Sequence, residues 1–178
     1  MPISRPDPLP RLLNFIWEKD PKSILDIGIG FGAMGVLFRQ ICDIRWGRVQ
    51  HWETIIHGIE IHDKYLNPIW QYAYNLVRIG EAIEQLPTMD KDYDLVFLGD
   101  VLEHLEKDRA KKLLDMCIEK AKKWVIITTP AEFHSNEEEA RRFGNPYEEH
   151  KCLLEDKDFP EGSIIERYGG QKIIIIEK

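Results

Sequence analysis

Basic residues are in the minority in this 178-residue chain: 24 Lys and Arg against 31 Asp and Glu leave a formal net charge of −7. That balance argues against nucleic acid as the partner, because phosphate backbones are held by clustered cations. Cysteine is scarce. The three present, Cys42, Cys117 and Cys152, are far apart and odd in number, which fits neither a disulfide framework nor a zinc-ligand spacing. They read as inert thiols of a reducing compartment. No apolar run reaches membrane-spanning length, so no membrane insertion is expected, and an N-terminus with prolines at 2, 6, 8 and 10 is not a signal peptide. A cytoplasmic location is the expectation. Repeats and low-complexity segments are also lacking. With 43% hydrophobic and 31% charged residues, the composition suits one globular domain over residues 1–178 with a real core.

Glycine is concentrated where it matters. Ile24-Leu25-Asp26-Ile27 reads as a short apolar strand carrying a carboxylate, and Gly28, Gly30 and Gly32 follow on alternate positions. Helix-compatible residues begin at Ala33. Glycine permits positive φ and lets a ligand approach where a Cβ would collide. The helix start adds unpaired N–H groups that suit an anionic or polar ligand. Strand, glycine loop and helix together mark a place for a nucleotide-like molecule.

Along the chain, residues 1–10 read as an irregular arm, and Leu12, Leu13, Phe15, Ile16 and Trp17 as the apolar positions of a short helix completing an N-terminal segment over 1–20. Strands are expected at Ser23–Ile27, Ile55–Ile61, Leu76–Ile79, Tyr93–Leu98 and Trp124–Thr129. Helices are expected at Ala33–Ile41, at Lys64–Asn75 with Pro68 inside the pattern, and at Val101–Lys122, whose period runs through Leu102, Leu105, Leu113, Leu114 and Ile118. Residues 43–54 form a long, Trp-containing connection; its Trp46–Trp52 stretch and the N-terminal helix are able to close a pocket or meet a second copy. Residues 131–160 are polar without a long periodic element. Ser163–Tyr168 and Gln171–Glu177 read as two strands joined through Gly169-Gly170. Five strands alternating with helices imply a parallel sheet covered on both faces.

Four features then fall at the carboxyl ends of successive strands, where open α/β sheets bind ligands. They are the glycine loop, Glu60, Glu81-Ala82, and Gly99-Asp100. A carboxylate at 60 can accept from both hydroxyls of a ribose, and Glu81-Ala82 offers a carboxylate and a backbone N–H to an adenine edge. As alternatives, Glu60 is a solvated strand end and the glycines are turn formers. In order, Leu25-Asp26-Ile27-Gly28-Ile29-Gly30-Phe31-Gly32, Gly58-Ile59-Glu60, Gly80-Glu81-Ala82, Tyr93 to His104 and Lys123 to Pro130 resemble the motifs of the class I S-adenosylmethionine-dependent methyltransferases over about residues 20–178. An aspartate is more usual in that family than Glu81. The resemblance implies a three-layer, Rossmann-like α/β fold whose mostly parallel seven-stranded sheet carries strand seven antiparallel between five and six. It also implies S-adenosylmethionine as cofactor, held by Asp26, Gly28, Gly30, Gly32, Glu60, Ile61, Glu81, Ala82 and Gly99. Residues 131–160 would border the acceptor, with Phe143–His150 as the contact segment.

Methyl transfer is an in-line displacement that depends mainly on alignment, and a base is needed only if the acceptor must lose a proton. His104 or His150 is the candidate base, with Asp100 orienting the acceptor. Asp100 and His104 share one helical face if the helix starts that early; as a helix cap and a half-buried histidine they are equally well explained. As an alternative His150, like His134, reads as a surface histidine, and Glu137-Glu138-Glu139 as a solvated helix face. No metal-ligand set is read. The lack of an Asn/Asp-Pro-Pro-Tyr/Phe run after strand four argues against base amino-methylation, and Asn145-Pro146-Tyr147 lies elsewhere. The acceptor expected is a small molecule or saccharide. Two alternatives stand: a non-catalytic cofactor-binding or interaction domain of the same fold, and a nicotinamide-dependent oxidoreductase, since Gly30 to Gly35 satisfies G-x-G-x-x-G. For the latter, Glu60 arrives later than the usual ribose-binding acid.

Overall fold

The computed structural model describes residues 5–178, apart from the side chains of Glu139 and Phe143. The first four residues of the expected N-terminal arm lie outside the described residues. Helix α1 (Leu9–Lys19) precedes strand β1 (Ser23–Ile27), helix α2 (Ala33–Cys42) and strand β2 (Ile55–Glu60). Helix α3 (Pro68–Ala73), strand β3 (Leu76–Ile79), helix α4 (Ala82–Gln85) and strand β4 (Tyr93–Gly99) follow. Helix α5 (Lys107–Lys120), strand β5 (Ala121–Pro130), helix α6 (Glu137–Phe143) and the hairpin strands β6 (Ile164–Tyr168) and β7 (Gln171–Glu177) complete the order.

The seven strands form one sheet in the order β3-β2-β1-β4-β5-β7-β6. β1 to β5 pair in parallel, and β7 runs antiparallel to both β5 and β6. Tyr168 faces Gln171 across the hairpin, so Gly169-Gly170 is its two-residue turn. The expected topology, including the inserted antiparallel strand, is the one observed.

Continuous burial along β1, β4 and β7 follows from cover on both faces. On one face Leu25, Val96, Val125 and Ile174 pack with Leu113, Leu114 and Cys117 of α5. On the other, Ile24, Leu95, Ile126 and Ile173 pack with Phe15 and Ile16 of α1, Phe38 of α2 and Trp70 of α3. Trp17 belongs to the outer side of α1, 56% exposed.

A buried polar network centres on Arg39. Arg39 of α2 donates from Nε to the Ala73 carbonyl (2.8 Å), from Nη1 to Asp43 Oδ2 (2.7 Å) and the Thr54 carbonyl (2.5 Å), and from Nη2 to Asn75 Oδ1 (2.6 Å). Asp43 Oδ1 accepts from the backbone N–H groups of Glu53 and Thr54. This pair ties α2, the 43–54 connection and the end of α3 together; that connection also contains a 3-10 turn at Ile44–Trp46.

Two expectations need correction. The helix expected over Lys64–Asn75 is a 3-10 turn at Asp63–Tyr65 followed by the shorter α3, because Pro68 takes the first helical position and the Asn67 side chain accepts from Ile69 N (2.8 Å). The helix expected from Val101 to Lys122 is broken into a 3-10 turn at Leu102–His104 and α5. The Glu103 carbonyl accepts from Lys151 N (2.7 Å) and Cys152 N (3.1 Å), and Leu105 is extended, so the helix cannot run through. Asp100 therefore does not cap a helix; it lies in the left-handed region at φ 51°. Residues 131–160 hold only the short α6, which starts on the acidic run read as a helix face and is bounded by Gly144 at φ 63°. Among the described residues no helix is long and apolar enough to cross a membrane.

Candidate active site

β1 ends on the glycine loop. Gly28 stands at φ 73°, its N–H donates to the Ile59 carbonyl (2.8 Å), and a Cβ there would lie 2.5 Å from Val101 Cγ2. Only glycine suits that position. The loop tip is fixed from the neighbouring strand: Glu60 Oε2 accepts from Gly30 N (2.8 Å), and Oε1 accepts from His62 N (2.9 Å). Trp70 Nε1 donates to the Gly30 carbonyl (2.8 Å) and Asn67 Nδ2 to that of Phe31 (3.2 Å). Burial pushes the Glu60 carboxyl above its ordinary range, against the pull of these two N–H groups.

Behind the loop, Tyr74 donates to Asp26 Oδ2 (2.6 Å) and accepts from Gly35 N (3.1 Å). Burial pushes Asp26 up to about 7, the Tyr74 hydroxyl opposes the shift, and the nearby Glu60 charge adds to it. The folded chain thus retains the Asp26 proton to about pH 7, whereas the unfolded chain releases it near 3.8. This group's contribution to stability is fully present below the lower value and is lost as pH rises through the upper one. Asp26→Asn keeps the shape without the ionisation, so its unfolding free energy should fall less between about pH 5 and about pH 7.5 than that of the wild type, as read by urea denaturation. Equal slopes would remove Asp26 as the cause.

A cavity of about 1150 Å³ opens at the carboxyl edge of β1, β2, β3 and β4. Of the residues expected to hold a cofactor, Asp26, Gly28, Gly30, Glu60 and Ile61 line it, as do Glu81, Ala82 and Gly99. Gly32 is set back as the N-cap of α2, at φ 87°. The Glu81 carboxylate is ion-paired with Arg109 of α5. Asp100 and His104 also line the cavity; His150 stands behind His104, their ring centroids 5.0 Å apart.

The far wall comes from the 143–150 segment, of which Asn145, Tyr147 and Glu148 line the cavity. Asn145 Nδ2 donates to Tyr65 Oη (3.0 Å) and to Glu148 Oε1 (3.2 Å), and Tyr65 donates to Glu148 Oε1 (3.1 Å). Phe31 packs on Tyr65 with ring centroids 4.7 Å apart. Asn136 bridges the segment from the other side, accepting from His150 N (2.8 Å) and donating to the Glu148 carbonyl.

Glu103, adjacent to His104, is 2% exposed. Its Oε2 accepts from Thr129 (3.3 Å), while Oε1 has no hydrogen-bond partner among the described residues. Burial, and then the Asp100 charge, push this carboxyl well above the ordinary range. Burial, and then His150, bring His104 down to about 4, so it is neutral at neutral pH. Glu103, Tyr65, Tyr74 and Trp70 were not singled out by sequence reasoning. Glu103 carried one signal, a carboxylate directly before a histidine a few residues after a strand.

No protein-family model and no curated protein sequence matches the chain. Its structure is similar to that of an S-adenosylmethionine-dependent methyltransferase from Archaeoglobus fulgidus, at 20% identity and TM-score 0.63 over 95% of this chain and 92% of that one. It is also similar to the magnesium protoporphyrin IX methyltransferase of Synechocystis PCC 6803 with bound S-adenosylhomocysteine, at 16% identity and TM-score 0.65 over 96% and 81%. A third is an rRNA methylase from Escherichia coli, at 18% identity and TM-score 0.54 over 96% and 63%. A porphyrin and an rRNA named on one fold show that the fold does not select the acceptor, so the expectation against nucleic acid rests on the charge balance and the missing Asn/Asp-Pro-Pro-Tyr/Phe run. The chain has the Rossmann-like fold of the class I S-adenosylmethionine-dependent methyltransferases.

Proposed function

We propose that this protein is an S-adenosylmethionine-dependent methyltransferase acting on a small-molecule or saccharide acceptor. The observation that carries the reading is the cavity at the carboxyl edge of the sheet, with the glycine loop, Glu60 and Ala82 on one side and His104 and Tyr147 on the other. At about 1150 Å³ it exceeds the roughly 300–1,000 Å³ usual for a small-ligand site, which suits a cofactor and an acceptor together. The cradle fits the cofactor chemically: Gly28, Gly30 and Gly99 line the cavity with bare backbone, and Glu60 brings a carboxylate to the position where a ribose would lie. An all-parallel dinucleotide fold has the order 3-2-1-4-5-6, from which the antiparallel β7 departs.

When bound, the cofactor supplies a methyl group already activated on a positively charged sulfur. The chain's task is alignment and exclusion of water. Asp26, Gly28, Gly30, Glu60, Ile61, Glu81, Ala82 and Gly99 hold the cofactor side, with Gly32 setting the helix start behind them. Asp100, His104 and His150 form the acceptor-activating cluster. Phe31 and Tyr147, 45% and 46% exposed, offer aromatic faces at the mouth that suit the apolar side of a sugar or a planar ring.

The test is release of S-adenosylhomocysteine on incubation with S-adenosylmethionine and three acceptor groups: small hydroxylated or amino compounds, free saccharides, and RNA. Turnover with the first or second and not the third is expected. Turnover with RNA alone would overturn the acceptor, and cofactor binding without turnover in any group would favour the non-catalytic reading.

A further inference from the structure

We propose that Glu103, His104 and His150 bind one divalent transition-metal ion on the acceptor wall of the cavity. One ring nitrogen of each histidine and one carboxylate oxygen of Glu103 lie within 4.8 Å of one another. Ligands on an ion at about 2.0–2.2 Å stand roughly 3 to 3.5 Å apart, so side-chain adjustments of about an ångström suffice to close the set. The backbone holds the two halves together: the Glu103 carbonyl accepts from Lys151 N and Cys152 N, which brings His150 alongside His104 although they are far apart in sequence.

The second observation is the Glu103 carboxylate, 2% exposed with Oε1 unpartnered among the described residues. In its ionised form such a group is costly to bury unless a positive charge or donors meet it, and no Lys or Arg side chain is paired with it among the described residues. The histidines are oriented as ligands commonly are. His104 Nδ1 faces the Glu149 carbonyl (3.3 Å) and His150 Nδ1 the His134 carbonyl (2.9 Å). A proton on Nδ1 in each ring puts the lone pair on Nε2. Two imidazoles and one carboxylate favour zinc, manganese, iron or cobalt over magnesium or calcium.

His104 lines the cavity, so three protein ligands leave coordination positions facing the acceptor. The ion's role rests on the methyltransferase reading; its binding does not. An acceptor hydroxyl on the ion has its pKa lowered and gives its proton to water. The oxygen then forms the bond to the methyl carbon as the carbon–sulfur bond breaks, the electron pair staying on sulfur, which becomes a neutral thioether. The histidines thus serve as ligands rather than as proton acceptors.

The experiment uses untagged, full-length protein stripped with chelator and titrated with cobalt(II), followed by its visible absorption, and with zinc(II), followed by calorimetry. S-adenosylhomocysteine binding is measured in parallel. Wild type should bind one ion per chain with micromolar or tighter affinity. Glu103→Gln, His104→Ala and His150→Ala should each weaken it by about tenfold or more, while His51→Ala, on the exposed connection after α2, should not. Because Glu103 is buried, the decision rests on His150→Ala, which should retain its thermal midpoint. No ion binding by wild type at millimolar metal, or undiminished binding in folded His150→Ala, would overturn the site. Ion binding without S-adenosylhomocysteine binding would instead sink the methyltransferase reading and leave the ion site standing.

Discussion

Replacing Glu60 with alanine should weaken S-adenosylhomocysteine binding by about a hundredfold, the larger of the two binding effects expected from single substitutions on the cofactor side. The carboxylate would work twice. It fixes the loop, accepting from Gly30 N and His62 N, and it lines the cavity in which the proposed function puts the ribose hydroxyls. A hydrogen bond to a charged group contributes about 1.5–3 kcal/mol, and about 1.4 kcal/mol is a factor of ten in affinity. Loss of the ribose contact and of loop order together gives the hundredfold figure. Glu60→Gln should fall between, because its amide oxygen can serve one N–H while its NH₂ opposes the other. Calorimetry on the three proteins checks this. Unchanged affinity in the alanine variant would remove Glu60 from the site.

The largest loss of stability is expected from Arg39→Ala. Its guanidinium is fully buried and holds Asp43, Asn75 and two backbone carbonyls. Truncation leaves the Asp43 carboxylate buried with two backbone donors and the more distant Arg48 guanidinium (3.8 Å), and breaking a buried pair in this way costs about 3–5 kcal/mol. For a chain of this length that is a fall in Tm of roughly 10 °C. Adding Asp43→Asn to Arg39→Ala should recover part of the loss, since the orphaned charge is then gone. Arg141→Ala, at an exposed pair with Glu137, should leave the Tm unchanged. A small effect of Arg39→Ala, or no recovery in the double variant, would show that the buried pair does not hold these elements together.

The parts of the fold visible in the sequence are those set by local pattern. The short apolar runs at 23–27, 93–98 and 171–177 read as strands covered on both sides, and Gly169-Gly170 between two such segments reads as a tight turn. Where the reading missed, a distant partner decided the local structure. Nothing near Glu103 announces that its carbonyl is taken by residues 151 and 152, so the periodicity around Leu102 and Leu105 suggested a helix that the chain does not form. Pro68 was visible, but its placement as the first residue of α3 depends on the Asn67 cap.

The candidate site divides in the same way. Gly28, Gly30 and Glu60 stand out because a strand, a loop and a strand end carry them in order. The Tyr74–Asp26 bond, the Trp70 contact with Gly30 and the Tyr65–Asn145–Glu148 network join residues that have no sequence relation to one another. The pairing of His104 with His150 belongs to this second kind. Each was a candidate by residue type alone, and the nearness of Glu103 to both became visible only once the 151–152 segment lay against the turn after β4.

The most direct measurement of the central claim is calorimetric titration of the wild-type protein with S-adenosylhomocysteine, alongside NAD. Binding of one S-adenosylhomocysteine per chain at about micromolar affinity, with none for NAD, is the result predicted from the cavity between the glycine loop, Glu60 and Ala82. Binding of NAD alone, or of neither molecule, would contradict it.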